Sequence, residues 1–492
     1  MSMNVLWIMT DQHRADALGC MGNAAIHTPH LDRLAASGVL YGNAFCQSPV
    51  CMASRGSMFT GRYPEAIGVR GMGVLPPDEV TFPQALRRAG WRTGAFGKVH
   101  FTPQQYTMNV LKTQHPSLNW RDFGEGCAIV PPADDPSASQ YGFEEYVGDE
   151  DALHGPFMDW LARDKPELLN AQPTRFDGPP SDLFVSPYPA SHHPTTFVAN
   201  HAIDYIQRRS DQPWMTLCSF VSPHHPFQAP AEVIDRYPLA DVPLLPRRGG
   251  VSMRDIPAEL QSAIDEFDQY DPLMQQRVVQ HYYASISLID DQVGRLLDTL
   301  ESTGQLDNTI VLFTADHGEF IGSHGLIRKP TFHYDDTLRI PLIVRAPGVV
   351  PRREDGLVEL VDLVPTLLEL VDQPIPAGVQ GISWANALKT RGAIGRPDIY
   401  SDMHHMDPMV HAKANGPYTT CYTLRTADWK LNIYPREPNP TGQLFHLAQD
   451  PDETTDLFHE VGSKAVREDM MWRLQQRVYR NIDPLPLKLT QW

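Results

Sequence analysis

The chain has 492 residues, 42% of them apolar, which is enough to bury one large core and a smaller lobe. Its 59 acidic and 41 basic side chains give a formal net charge of −18 at pH 7, which repels a polyphosphate backbone and argues against nucleic acid as a partner. No apolar run is long enough to span a bilayer, and the first residues lack a basic stretch followed by an apolar run and a cleavage site, so a cytoplasmic protein with no membrane partner is expected.

Residues 4–9, Asn-Val-Leu-Trp-Ile-Met, read as a buried strand ending at Thr10-Asp11. A helix follows, with Thr28 as its N-cap, Pro29 at the first helical position, Leu31, Leu34 and Ala35 on one face and Gly38 past its end. Cys51 lies in Ser48-Pro49-Val50-Cys51-Met52-Ala53-Ser54-Arg55, with Gly61 further on, and Pro49 and Gly61 bracket a short helix whose first amides face Cys51. Arg55, one turn along, shares its face. A lone cysteine is more often a small buried hydrophobe, and the six at 20, 46, 51, 127, 218 and 421 show neither disulfide density nor paired zinc spacing. Further strands are predicted at 93–96, 215–221 and 310–315, and a helix at 286–300.

Strands alternating with amphipathic helices predict an α/β fold with a mostly parallel sheet sandwiched by helices. Pro- and acid-rich stretches near 101–193 and 229–271 read as insertions over that sheet. A composition shift at 372–381 divides a domain at 1–375 from a smaller C-terminal α+β subdomain at 376–492, where 422–425 and 429–433 read as strands of a small antiparallel sheet.

Ligands bind beyond the carboxyl ends of parallel strands. Here those ends carry Asp11-Gln12-His13, Gly97-Lys98-Val99-His100, Ser222-Pro223-His224-His225-Pro226 and Asp316-His317-Gly318-Glu319. Asp11, Gln12, Asp316 and His317 offer two carboxylates, an amide oxygen and an imidazole, a set that suits calcium or manganese. Each motif alone also fits a polar turn after a strand; their repetition favours a shared site.

On these residues the chain resembles the sulfatase family of the alkaline phosphatase superfamily. The similarity runs through 4–12, 28–38, 51–64, 97–100, 223–227 and 316–329 into 444–458, and its most specific part is Cys51-x-Ala53-x-Arg55 followed by Thr60-Gly61-Arg62. The resemblance implies an alkaline-phosphatase-like fold and oxidation of Cys51 to formylglycine by a maturation enzyme. One hydroxyl of the formylglycine hydrate, bound to one divalent metal, attacks sulfur and displaces the alcohol or phenol. The other then loses its proton and expels sulfate, so the covalent intermediate breaks by elimination. It further implies that Asp11, Gln12, residue 51, Asp316 and His317 hold the metal, that Arg55 orients the formylglycine and that His100 supports it. Lys98, His224 and Lys329 bind sulfate, with His224 or Lys98 protonating the leaving oxygen.

Three positions depart from the family's commoner pattern: Ala53 in place of proline, Gln12 and His317 in place of Asp and Asn, and Val69-Arg70-Gly71-Met72-Gly73 where an asparagine often stands. The first leaves the maturation system open, and the third suggests Arg70 as a substitute contact. Hydrolysis of a small sulfate ester is the leading expectation. A phosphonate monoester or phosphodiester hydrolase with the same nucleophile is the first alternative, and an unmatured, non-catalytic metal-binding homologue the second. A homo-oligomer is compatible with these residues but not specified by them.

Overall fold

The computed structural model describes residues 3–101, 141–148, 155–176, 182–209, 211–243, 251, 263, 264, 266, 267, 269–404, 420–435 and 441–485. Much of the insertion expected at 101–193, the middle of that at 229–271, and Cys127 lie outside the described residues.

In chain order the strands are β1 (Asn4–Asp11), β2 (Val39–Phe45), β3 (Arg92–Gly97), β4 (Glu145–Val147), β5 (Thr174–Arg175), β6 (Leu183–Val185), β7 (Trp214–Pro223) and β8 (Phe227–Ala229). They continue with β9 (Thr309–Ala315), β10 (Arg339–Arg345), β11 (Arg352–Glu354), β12 (Val358–Glu359), β13 (Ile399–His404), β14 (Thr420–Arg425), β15 (Trp429–Tyr434) and β16 (Thr441–His446). Nine of them form the main sheet, in the order β11-β2-β10-β9-β1-β7-β3-β4 with β12 also on β2. All run the same way except β10, which is antiparallel to both β9 and β2.

β1 is buried along its whole length between β7 and β9, which is why its sequence is apolar without alternation. Its pleat still sorts side chains by face. Val5, Trp7 and Met9 enter one core with the helices Cys51–Thr60 and Leu363–Leu370, whereas Leu6 and Ile8 enter another with the helices Pro194–Gln207 and Pro272–Ser302. The sheet is thus covered on both faces, as expected.

The strands expected at 93–96, 215–221 and 310–315 fall within β3, β7 and β9. The helix expected at 286–300 is the second half of Pro272–Ser302, a 31-residue helix that starts where Asp271 Oδ1 accepts Met274 N–H at 2.8 Å. Thr28 holds the N-cap position of Pro29–Ala36, but its hydroxyl does not cap that helix; it accepts Gly19 N–H at 2.9 Å instead. Beyond the main sheet, β13–β16 form a four-stranded antiparallel sheet on which Met470 and Leu474 of the helix Lys464–Arg480 pack. Among the described residues no helix is long and apolar enough to cross a membrane.

Leu312 in β9 has no exposed surface and belongs to the Trp7 core. Leu312→Ala is expected to cost about 2–5 kcal/mol in chemical denaturation, and a loss below about 1 kcal/mol would contradict its place at the sheet's centre.

Candidate active site

Four parallel strands, β1, β3, β7 and β9, end side by side, and their carboxyl ends deliver Asp11, Lys98, His224 and Asp316-His317. Between Thr10 and Asp11 the register with β7 shifts, so that Asp11 pairs with Pro223, and Gln12 then adopts a left-handed backbone with φ of 63°. A bulge of this kind re-aims the side chains that follow it. Gly97 at the end of β3 allows a comparable close approach, since a Cβ there would lie 1.9 Å from the Ser219 carbonyl oxygen.

Cys51 is the first residue of the helix Cys51–Thr60, after extended Val50, and Gly61 ends that helix in the left-handed region. The entire helix is buried. Its N-terminal partial positive charge therefore acts in a dry environment. Cys51 Sγ lies 3.2 Å from His317 Nε2, 2.9 Å from Lys329 Nζ and 3.7 Å from Asp11 Oδ1. Burial first, and Asp11 second, push its thiol up to about 12.

Arg55 has no exposed surface and ties the carboxylates together. Its Nε donates to Asp316 Oδ2 at 2.8 Å, and Nη2 pairs with Asp11 Oδ2 at 3.3 Å. Its Nη1 donates to the Lys98 carbonyl at 2.6 Å and to Ser219 Oγ at 3.2 Å. Lys98 Nζ pairs with Asp11 Oδ2 at 2.9 Å. Although burial acts to raise the Asp11 pKa, Lys98, then His224, Lys329 and Arg55, hold it well below the usual carboxylate range.

His317 Nδ1 lies 2.9 Å from the Gly318 carbonyl, which only accepts, so Nδ1 carries the proton and Nε2 turns its lone pair inward. Burial, with Lys329 second, lowers its pKa to about 4. Asp11, Cys51, Asp316 and His317 each offer one ligand atom, and these lie within 4.8 Å of one another. Gln12 Oε1 is buried and takes no hydrogen bond. Leaving such an acceptor unmade costs about 1–3 kcal/mol, and a cation on this oxygen-rich set would repay it, so these donors fit a divalent metal.

Arg55, Lys98 and Lys329 have polar contacts with this cluster. Lys329 Nζ is 2.9 Å from His317 Nε2, and His224 stacks on His225 with ring centroids 4.0 Å apart and contributes to the lowering of Asp11. His100 follows two residues after Lys98, buried, with φ of 55°. Arg70 is engaged elsewhere: it donates to Asp402 Oδ2 at 3.1 Å and to the Tyr422 hydroxyl at 2.7 Å. Sequence reasoning missed Glu319, which accepts a hydrogen bond from Gln12 Nε2, and Tyr282, whose hydroxyl donates to the Gln12 carbonyl at 2.7 Å. Glu319 was visible in the motif after β9, but Tyr282, inside a long helix, carried no signal.

A family model described as Sulfatase matches residues 3–373, and one described as N-sulphoglucosamine sulphohydrolase, C-terminal, matches 322–480. The chain belongs to the sulfatase family. It is 28% identical over 478 residues to an arylsulfatase of Clostridium perfringens (strain 13 / Type A), covering 93% of this chain and 91% of that one. It is likewise 28% identical, over 96% of this chain and 95% of the other, to the multifunctional alkaline phosphatase superfamily protein PehA of Trinickia caryophylli. In fold it is similar to the phosphonate monoester hydrolase SpPMH from Silicibacter pomeroyi, with a TM-score of 0.77, 24% identity and coverage of 98% and 96% of the two chains.

Arg55→Met is expected to leave two buried carboxylates short of a cation and to lower stability by about 3–5 kcal/mol. Thermal and urea unfolding of the variant in chelator measure this, and parent-like unfolding would refute the role given to Arg55.

Proposed function

We propose that this sulfatase hydrolyses a small sulfate ester to an alcohol or phenol and inorganic sulfate, with Cys51 matured to formylglycine and one divalent metal, calcium or manganese, at the cluster. The observation that carries the reading is Cys51 at a buried helix N-terminus, within ligand distance of Asp11, Asp316 and His317 and beside the Lys329 ammonium. Asp11, Gln12, Asp316 and His317 would hold the metal, whose positive charge would stabilise the sulfate oxygens. The aldehyde hydrate at position 51 supplies the attacking hydroxyl and returns to the aldehyde when sulfate leaves.

The remaining roles belong to side chains of this chain. Lys98 and Lys329 bind the sulfate oxygens and offset the charge that builds on them. Arg55, fixed between two carboxylates, holds the floor of the site and the register of residue 51. His224 is assigned the proton for the leaving oxygen, whereas Lys98 is paired with Asp11. Burial first, and Lys329 second, lower the His224 pKa; an incoming anion offsets the Lys329 part and so favours the charged imidazole. His100, next in the same turn, supports the nucleophile.

The likeness in fold to a phosphonate monoester hydrolase favours one second reading: hydrolysis of phosphonate monoesters or phosphodiesters at the same nucleophile. Tetrahedral anions of sulfur and phosphorus share oxygen geometry, so the cluster alone serves either. The Lys98-Val99-His100 motif, part of the resemblance to the sulfatase family, favours the sulfate ester.

Mass spectrometry of the peptide containing residue 51 is expected to show formylglycine, and Cys51→Ala is expected to lower turnover by at least about a thousandfold. An unmodified thiol in fully active protein would overturn the mechanism. On matched aryl sulfate, phosphonate monoester and phosphodiester substrates the sulfate should dominate, and a phosphorus ester faster by orders of magnitude would replace this reading with the second. His224→Ala should lose about 10²–10⁴-fold on alkyl sulfates but far less on nitrophenyl sulfate, whose leaving oxygen needs no proton. Equal losses on both would remove His224 from that role.

A further inference from the structure

All but one of the polar groups of Gln12 are spoken for. Its N–H donates to Asp316 Oδ1 at 3.1 Å, and its carbonyl accepts from the Tyr282 hydroxyl at 2.7 Å. Its Nε2 donates to Glu319 Oε2 and lies 3.4 Å from His225 Nδ1. That leaves Oε1, fully buried, as the acceptor the fold does not use. A primary amide is nearly symmetric in shape, so packing alone does not decide which end faces which neighbour. Hydrogen bonding must.

Glu319 is itself fixed on three sides. Its N–H donates to the Asp336 carbonyl at 3.1 Å, its own carbonyl accepts from Arg14 Nη1 at 3.0 Å, and its Oε1 accepts Ile321 N–H at 2.9 Å. Gly318 makes this seat reachable, because a Cβ there would stand 2.0 Å from the Asp336 carbonyl oxygen. Glu319 is not one of the four residues whose ligand atoms converge among the described residues. An ionised carboxylate only accepts, so the Gln12 end that meets it must be the N–H end.

We propose that Glu319 is a positioning residue for the cation site: by accepting Gln12 Nε2–H it fixes the amide so that Gln12 offers its oxygen, and not its N–H, to a cation held by Asp11, Asp316 and His317. The inference rests on the cation site proposed above. It adds a role for a buried acid that the reaction itself does not use. The chemistry is specific to a carboxylate. Glu319 serves two N–H donors, Ile321 and Gln12, with two oxygens, whereas an amide at 319 has one acceptor oxygen and must turn its NH₂ toward one of them. When it faces Gln12, the Gln12 amide reverses and presents N–H to the cation.

A double-mutant cycle in metal affinity tests this, read by calorimetric titration of calcium and of manganese into chelator-stripped full-length protein. In the parent background Glu319→Gln should weaken binding about 10–100-fold, the range expected when a group that orients a metal ligand is removed. In a Gln12→Leu background the same change should weaken it by no more than about twofold, because the group through which Glu319 acts is gone. Equal losses in both backgrounds, or no loss in the parent, would overturn the assignment and leave Glu319 a structural acid. Should Glu319→Gln fail to fold, Glu319→Asp, which shortens the reach to Gln12, carries the same cycle. Cation binding by the parent with additive losses refutes only the role of Glu319; a parent that binds neither cation refutes the cation site as well.

Discussion

Two carboxylates, Asp11 and Asp316, are buried without solvent in one small volume, and most of the site follows from making that tolerable. Unpaired, each would carry a desolvation penalty of several kcal/mol. Arg55 meets both, Lys98 meets Asp11, and the helix beginning at Cys51 adds partial positive charge from its free amides. On the side where Cys51 and His317 meet these acids, Lys329 Nζ adds a third cation, 2.9 Å from both Cys51 Sγ and His317 Nε2.

The fold imposes this arrangement through strand direction. β1, β3, β7 and β9 are parallel neighbours, so four chain segments distant in sequence end on one side and must place their next residues together. Small irregularities then aim them: the shift after Thr10, the left-handed Gln12, and glycines at 97 and 318 where a Cβ would strike backbone oxygen. These are strained or crowded positions, and they sit at the strand ends where the polar cluster gathers.

How much of this was legible in the sequence depended on whether a signal was local. The strands β1, β3, β7 and β9 announced themselves as apolar runs with polar ends, and Cys51 and Arg55 carried their spacing with them. The start of the helix Pro272–Ser302 was missed although Asp271-Pro272 is a good cap, because the first turns present exposed residues and lack the apolar stripe. β10 was missed because Pro341 interrupts it; the pairing with β2 shifts register between Ile340 and Leu342, which is how an internal proline is accommodated. Glu319 lay in a quoted motif without a role, since its partner is 307 positions away and nothing local distinguishes it from a solvated acid. Arg70, expected as a substitute contact at the site, gives its charge to Asp402 and Glu65.

That last contact explains why the C-terminal sheet matters to a site built on the main one. Asp402 in β13 donates its N–H to the Gln47 carbonyl, four residues before Cys51, and His404 donates to the Arg70 carbonyl, both at 2.9 Å. Gln47 in turn accepts Val361 N–H through Oε1 at 3.1 Å, and Glu359 accepts Tyr400 N–H at 2.7 Å. The segment that leads to Cys51 is therefore held between the edge of the main sheet and the first strand of the second. Asp402 is buried and its pKa pushed well up, by burial first and by Glu65 second, with Arg70 acting against both. Arg70 at 3.1 Å and the His404 ring at 3.7 Å both lie against this carboxyl, contacts that fix geometry more than they add net stability. The second sheet thus acts as a brace that sets where the helix of residue 51 begins, and the position of that first turn decides whether its side chain meets the carboxylates or misses them.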